Sequence, residues 1–180
     1  MNMFLALDAN NYVNGMGSTY FELVGCETIE LEIEPNHPIF LSLGQFKYDN
    51  GQLIEDKERE LEIAKQDKLI ELQLSCQEVI NSGFTHVFNG VEYWFSLDME
   101  AQQNFTSSYQ IMKDGLVQEI TWTVKVNGEY SRLAITLPMM EELAIAIMTH
   151  KTNNIAKFRD FLTPQVNAAT TLEEVEAITW

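Results

Sequence analysis

Three of the four Asn-Gly pairs in this chain constrain it more than any other feature. Asn50-Gly51, Asn89-Gly90 and Asn127-Gly128 each stand between two runs in which apolar and polar residues alternate. Both central residues of a type I′ turn need a positive φ, which Asn and Gly tolerate, and a two-residue loop leaves the flanking runs no option but to pair antiparallel. The pairs therefore predict hairpins at Phe46 to Tyr48 against Gln52 to Ile54, across "FTHVFNGVEYWF", and across "ITWTVKVNGEYSRLAI".

The rest of the first 54 residues extends the β reading. Met3 to Leu7 predicts a strand, Asp8, Asn10 and Asn11 a turn, and Tyr12 and Val13 a short partner strand. In "TIELEIEP", Ile29, Leu31 and Ile33 alternate with Glu30, Glu32 and Glu34, so one face is apolar and the other carries a solvated row of carboxylates. The period changes at Glu55. Leu61, Ala64, Leu69, Leu72, Cys76, Val79 and Ile80 then recur every three or four positions up to Ser82, with Gly83 placed to end a helix. Asp98 is a cap for a helix carrying Met99, Phe105, Tyr109 and Met112 on one side. A long helix starts near Thr136, tolerates Pro138 in its first turn, and runs through Leu143, Ile147, His150, Ile155, Phe158 and Leu162, with Pro164 expected to kink its end. Thr171 and Glu174 have capping-box spacing and start a last short helix with Leu172, Val175 and Ile178 on one side. Two turns of helix are not stable alone, so this one must dock, and Trp180 is the apolar surface that docking would cover.

The fold class expected is α+β. A β-rich module occupies residues 1–54, a connecting helix 55–82, and a second α+β module 83–180.

Few residues of the chain point to chemistry. The formal charge is -16, from 27 acidic and 11 basic residues. That sign opposes phosphate backbones, so nucleic acid is not an expected partner. No apolar run approaches the length that crosses a bilayer, and "MNMFLALDAN" has no basic start typical of an export signal, which predicts a soluble protein with no membrane partner. Cys26 and Cys76 have no ligand spacing and read as buried thiols. His37, His86 and His150 fall in no metal motif, and His86 alternates with Phe84 and Phe88 as a packing histidine. "NGMGST" lacks the lysine of a phosphate loop, and "DANNYVNG" has Val13 where a calcium loop turns on glycine. No catalytic, cofactor or metal residue is proposed. Exposed hairpin aromatics, with Glu92 and Glu129, leave a carbohydrate-binding or hydrolysing module as one alternative. The residues expected to meet other proteins are Leu61, Leu69 and Leu72 on the connecting helix, and Trp94, Trp122 and Trp180.

Three blocks, "SCQEVINSGFTH", "YWFSLDMEAQQNF" and "NAATTLEEVEAITW", resemble the C-terminal domain of unknown function found in tailed-bacteriophage tail and tail-fibre-associated proteins. The resemblance runs from about residue 66 to 180. It rests on Cys76, Ile80, Gly83 and Phe84, on Ala101 to Asn104, and most specifically on the closing block. The hairpin around "TWTVKVNGEYSR" and the helix opening "LPMMEE" depart from that family's pattern. The N-terminal module is similar in layout to small β modules of phage tail and fibre-assembly proteins. The resemblance implies no catalytic residues. It implies a non-enzymatic tail or baseplate protein that attaches or extends a fibre at the host-recognition end, assembled in the bacterial cytoplasm and located in the virion tail. Its partners would be other tail or fibre proteins and further copies of itself, a homotrimer being expected. A tail-fibre assembly chaperone is the main alternative.

Overall fold

A computed structural model describes residues 1–180. Nine strands and five α-helices form two compact units, an α+β protein as expected. Unit one comprises Met1–Lys68 with Ala169–Ala177, and unit two Leu69–Ala168 with Ile178–Trp180.

In unit one, β1 (Asn2–Leu7) lies between β2 (Val13–Gly17) and β3 (Glu27–Glu32), both antiparallel to it. Asn14 to Gly17 of the glycine stretch thus lie in strand β2 and not in a loop. Asp8 makes the turn before it, its Oδ1 accepting from the amides of Asn10 at 2.8 Å and Tyr12 at 3.0 Å, with Asn11 at φ 67°. The hairpin of β4 (Phe46–Asp49) and β5 (Gln52–Glu55) turns on Asn50-Gly51. Met3, Leu5, Leu7, Val13, Ile33, Ile39 and Phe46 form the core, while Glu30, Glu32 and Glu34 face water.

Helix α1 (Lys57–Asn81) belongs to both units. The units part between Lys68 and Leu69, whereas the sequence suggested a separate connector over 55–82. The reason is visible in the side chains. At the start of α1, Asp56 caps the amide of Arg59 at 3.0 Å, the Arg59 Nε donates to the Gly44 carbonyl at 2.6 Å, and its guanidinium lies 3.8 Å from the Tyr12 ring centroid. Tyr12 donates its hydroxyl to Asp56 Oδ2 at 2.5 Å. That bond holds the Asp56 carboxyl below its ordinary range and the Tyr12 phenol above its own. Further along, Leu72, Cys76 and Ile80 are buried in unit two.

Unit two is built on a meander, β6 (Phe84–Phe88), β7 (Val91–Phe95), β8 (Glu119–Val126) and β9 (Glu129–Thr136), in that spatial order. Both loops are the expected Asn-Gly turns, with positive φ at Asn89, Gly90, Asn127 and Gly128. The inward rows of the sheet pack on α2 (Met99–Lys113) and α3 (Leu137–Ala156) through Phe95, Val124, Ile135, Phe105, Met112, Met140 and Leu143. Asp98 caps α2 by accepting from the Ala101 amide at 2.8 Å, and a bond from the Ser96 hydroxyl is the first cause of its lowered pKa. Met99 does not share the buried side of α2. It is 72% exposed, because six positions before Phe105 is about 120° away around a helix. Ile155 is also exposed.

Pro164 acts one turn earlier than expected. It can donate no amide, and the preceding turn, Lys157–Leu162, widens to a π-helix in which the Thr163 amide reaches back five residues to the Phe158 carbonyl. The helix then resumes as α4 (Thr163–Ala168). The last helix, α5 (Leu172–Glu176), has the expected cap, Thr171 Oγ1 accepting from the Glu174 amide at 3.2 Å. The return arm differs, since Glu174 Oε2 reaches past Thr171 to the amide and hydroxyl of Thr170, at 2.6 and 3.0 Å, and these bonds lower its pKa. Beyond α5, Ile178 and Trp180 pack against Leu72, Leu162 and Val166, with Lys157 Nζ 4.4 Å from the Trp180 ring centroid. Of the two cysteines, Cys76 is buried and Cys26 only half-buried, its Sγ 3.8 Å from Asn14 Nδ2.

Candidate functional site

Unit two carries an open groove of about 790 Å³ between the outer edge of β6 and one side of α3. Its position follows from the local sequence. Gly83 ends α1 at φ +101°, a conformation that favours glycine, and turns the chain directly into β6. The Trp94 indole closes over that glycine, so that a Cβ there would lie 2.7 Å from Trp94 Cζ2. β6 is the first strand of the meander and pairs only with β7, which leaves its other edge open.

Phe84, His86 and Phe88 share the inner face of β6, and Thr85 and Val87 the outer one. On the other wall, Glu142, Ile145, Ala146, Thr149, His150 and Asn153 recur at three- and four-residue spacing and so line one side of α3. The adjoining side of α3, with Met140, Leu143 and Ile147, is packed into the core. Ile145 is 69% exposed beside the groove.

Three polar groups define its chemistry. His86 stands edge-on to Phe88, ring centroids 4.6 Å apart, and its Nε2 is buried without a hydrogen-bond partner, 3.7 Å from Glu142 Oε2. His150 Nε2 is 3.3 Å from the Val79 carbonyl, which ties the far wall to α1. Glu142 is the one carboxylate in the groove, and no Lys or Arg lines it. The arrangement offers an unpaired backbone edge, an aliphatic patch and one negative charge. No cluster of three or more His, Cys, Asp or Glu side chains suited to a metal ion is present.

Of the six residues expected to meet partners, only Trp94 belongs to this groove. Leu72 is fully buried and is a core residue, because its side of the helix is the one unit two covers. Leu69 and Trp180 pack against the same cluster, and Trp122 points inward onto Phe105, centroids 5.3 Å apart. Leu61 is half-buried on the first part of α1. On the outer face of the sheet, Lys125 Nζ sits 4.4 Å from the Trp94 centroid and 5.0 Å from that of Tyr130. A sugar stacking on either ring would have to displace it. Sequence reasoning missed the α3 wall, although the spacing of Glu142, Ala146, Thr149 and Asn153 in "EELAIAIMTHKTNN" marks a mixed polar and small-residue side.

A family described as "Domain of unknown function (DUF4376)" matches residues 63–179, about two thirds of the chain. The chain belongs to the DUF4376 family. The DUF4376 match contains the whole meander, both groove walls and nearly all of unit two, and its description assigns no activity. No curated protein and no solved structure matches the chain. No helix is long and apolar enough to cross a membrane.

Proposed function

We propose that this DUF4376 protein is a non-enzymatic component of a bacteriophage tail or baseplate, which attaches or extends a fibre by presenting surfaces to neighbouring tail proteins. One observation carries the reading. Several of the residues behind the resemblance to phage tail proteins are scaffold residues. Cys76, Ile80 and Phe84 are buried in the core of unit two, Gly83 makes the turn into β6, and Trp180 packs on the helix that precedes it. A pattern that includes these packing and turn residues supports a shared framework. The groove beside β6 and exposed side chains such as Ile145, Met148 and Phe161 are where such a framework would meet its neighbours.

The test is mass spectrometry of purified phage particles whose genome encodes the chain. The expected result is the protein at a fixed copy number per tail, in a multiple of three if it assembles as a homotrimer. Its absence from particles, together with its recovery on unassembled fibres, would replace this reading with that of an assembly chaperone.

A further inference from the structure

β6 is an open strand edge without the protection such edges normally carry. Charged side chains, proline, bulges or an overlying element usually keep a strand edge from pairing with other chains. β9, at the opposite side of the sheet, carries Glu129 and Arg132. β6 reads "FTHVF", five residues with no Lys, Arg, Asp, Glu or Pro, and no bulge interrupts its pairing with β7. The hairpin fixes which of its backbone groups are unpaired. Phe88 and Val91 close a two-residue loop and exchange both bonds, so alternation makes His86 with Tyr93 and Phe84 with Phe95 the other bonded pairs. The N–H and C=O groups of Thr85 and Val87 therefore point out of the hairpin, and no other backbone group bonds to them.

We infer that an extended, basic peptide segment of a partner protein docks here, adding a fifth strand on β6 in the groove against α3. The size fits. A rise of ~3.4 Å per residue, a strand spacing of ~4.8 Å and a layer of ~10 Å give roughly 160 Å³ per strand residue. The groove of about 790 Å³ thus holds about five, the length of β6. Main-chain bonds to Thr85 and Val87 supply the ladder, and side chains of the incoming strand alternate between the α3 wall and the open face. Those facing α3 meet Ile145 and Ala146, and at the level of His86 they meet Glu142.

Charge decides the kind of occupant. Glu142 is the groove's carboxylate, no Lys or Arg lines the groove, and the whole chain carries -16. A segment with a lysine or arginine between two aliphatic residues is attracted at long range and paired at contact. The β6 edge of a second copy is not, because it brings no Lys or Arg to Glu142. The inference goes beyond the proposed role in a tail, since strand addition on β6 holds whatever assembly the chain serves.

The probe is the capped peptide Ac-TITKTIT-NH2, titrated into the full-length protein and followed by calorimetry and amide NMR. The expected result is saturable binding with the largest shifts at Thr85 and Val87. The same peptide N-methylated at the alternate amides that face β6 keeps its side chains but loses the ladder, and should bind at least tenfold more weakly. Glu142→Lys, a change at a side chain that is 61% exposed, should weaken the lysine peptide at least tenfold and strengthen Ac-TITETIT-NH2 instead. No saturable binding at millimolar peptide, equal binding of the methylated peptide, shifts centred away from β6, or indifference to the charge swap would each overturn the inference. A protein found in particles that binds no such peptide keeps the proposed function and loses this one.

Discussion

Replacing Gly83 by alanine separates two costs that usually come together. At φ +101° an alanine pays for a conformation it rarely adopts, about 1–2 kcal/mol. Its Cβ also meets the Phe95 carbonyl oxygen and comes within 2.7 Å of Trp94 Cζ2. The carbonyl is backbone of a paired strand and has nowhere to go, so overpacking adds a further 1–3 kcal/mol or so. Gly90→Ala is the control, because Gly90 has φ +79° and nothing within 4 Å of the added Cβ, so it bears the backbone cost alone. All three tryptophans lie in unit two, and their fluorescence in a urea titration reports that unit. The expected loss is about 3–4 kcal/mol for Gly83→Ala and about 1 kcal/mol for Gly90→Ala, with an unchanged slope m. If the two variants fall within about 0.5 kcal/mol of each other, the close packing over Gly83 contributes nothing and the account of how β6 is anchored is wrong.

Trp180→Ala removes a half-buried ring from the cluster of Leu72, Leu162 and Val166 and should cost about 2–3 kcal/mol, less than a fully buried tryptophan. A chain ending at Ala169 also loses the buried Val175 and should melt about 5–10 °C lower, whereas an unchanged calorimetric midpoint would mean the tail carries no stability. Glu174 has a lowered pKa, so its contribution to stability is fully present above the unfolded value near pH ~4.3 and fades as pH falls through the folded one. The advantage of the natural chain over Glu174→Gln in urea should therefore be constant from pH 6 to 8 and shrink below about pH 4.5; an advantage that grows on acidification contradicts the assigned bonds. Iodoacetamide should modify Cys26 at least about tenfold faster than Cys76, whose thiol is buried and has its pKa pushed up by that burial, as peptide mapping of a time course would show.

How much of this could be read in advance depends on how local the cause is. The three Asn-Gly hairpins, the Asp98 cap and the Thr171 cap were legible because each is decided within about four residues. The helix boundaries at Lys57 and Asn81 also follow closely from the change of period and from Gly83. What escaped was set by distant neighbours. The assignment of α1 to two units depends on Arg59 finding Gly44 and Tyr12, fifteen or more positions away. A row of leucines does not say whether it faces its own core or another protein, and so Leu72 looked like a contact residue. The groove exists because β6, early in the meander, lies beside a helix some sixty residues later, and nothing in "FTHVF" announces that neighbour.

The Asn-Gly loops also give the protein a clock. In each, the asparagine side chain is followed by a residue with no side chain to shield the next backbone nitrogen, and Asn50, Asn89 and Asn127 are all exposed. Attack of that nitrogen on the side-chain amide expels ammonia, and hydrolysis of the resulting ring leaves aspartate or isoaspartate. Each event makes an acidic molecule one charge more so, and isoaspartate threads an extra carbon into a loop only two residues long. Old preparations should accordingly lose their hairpins from the tips inward.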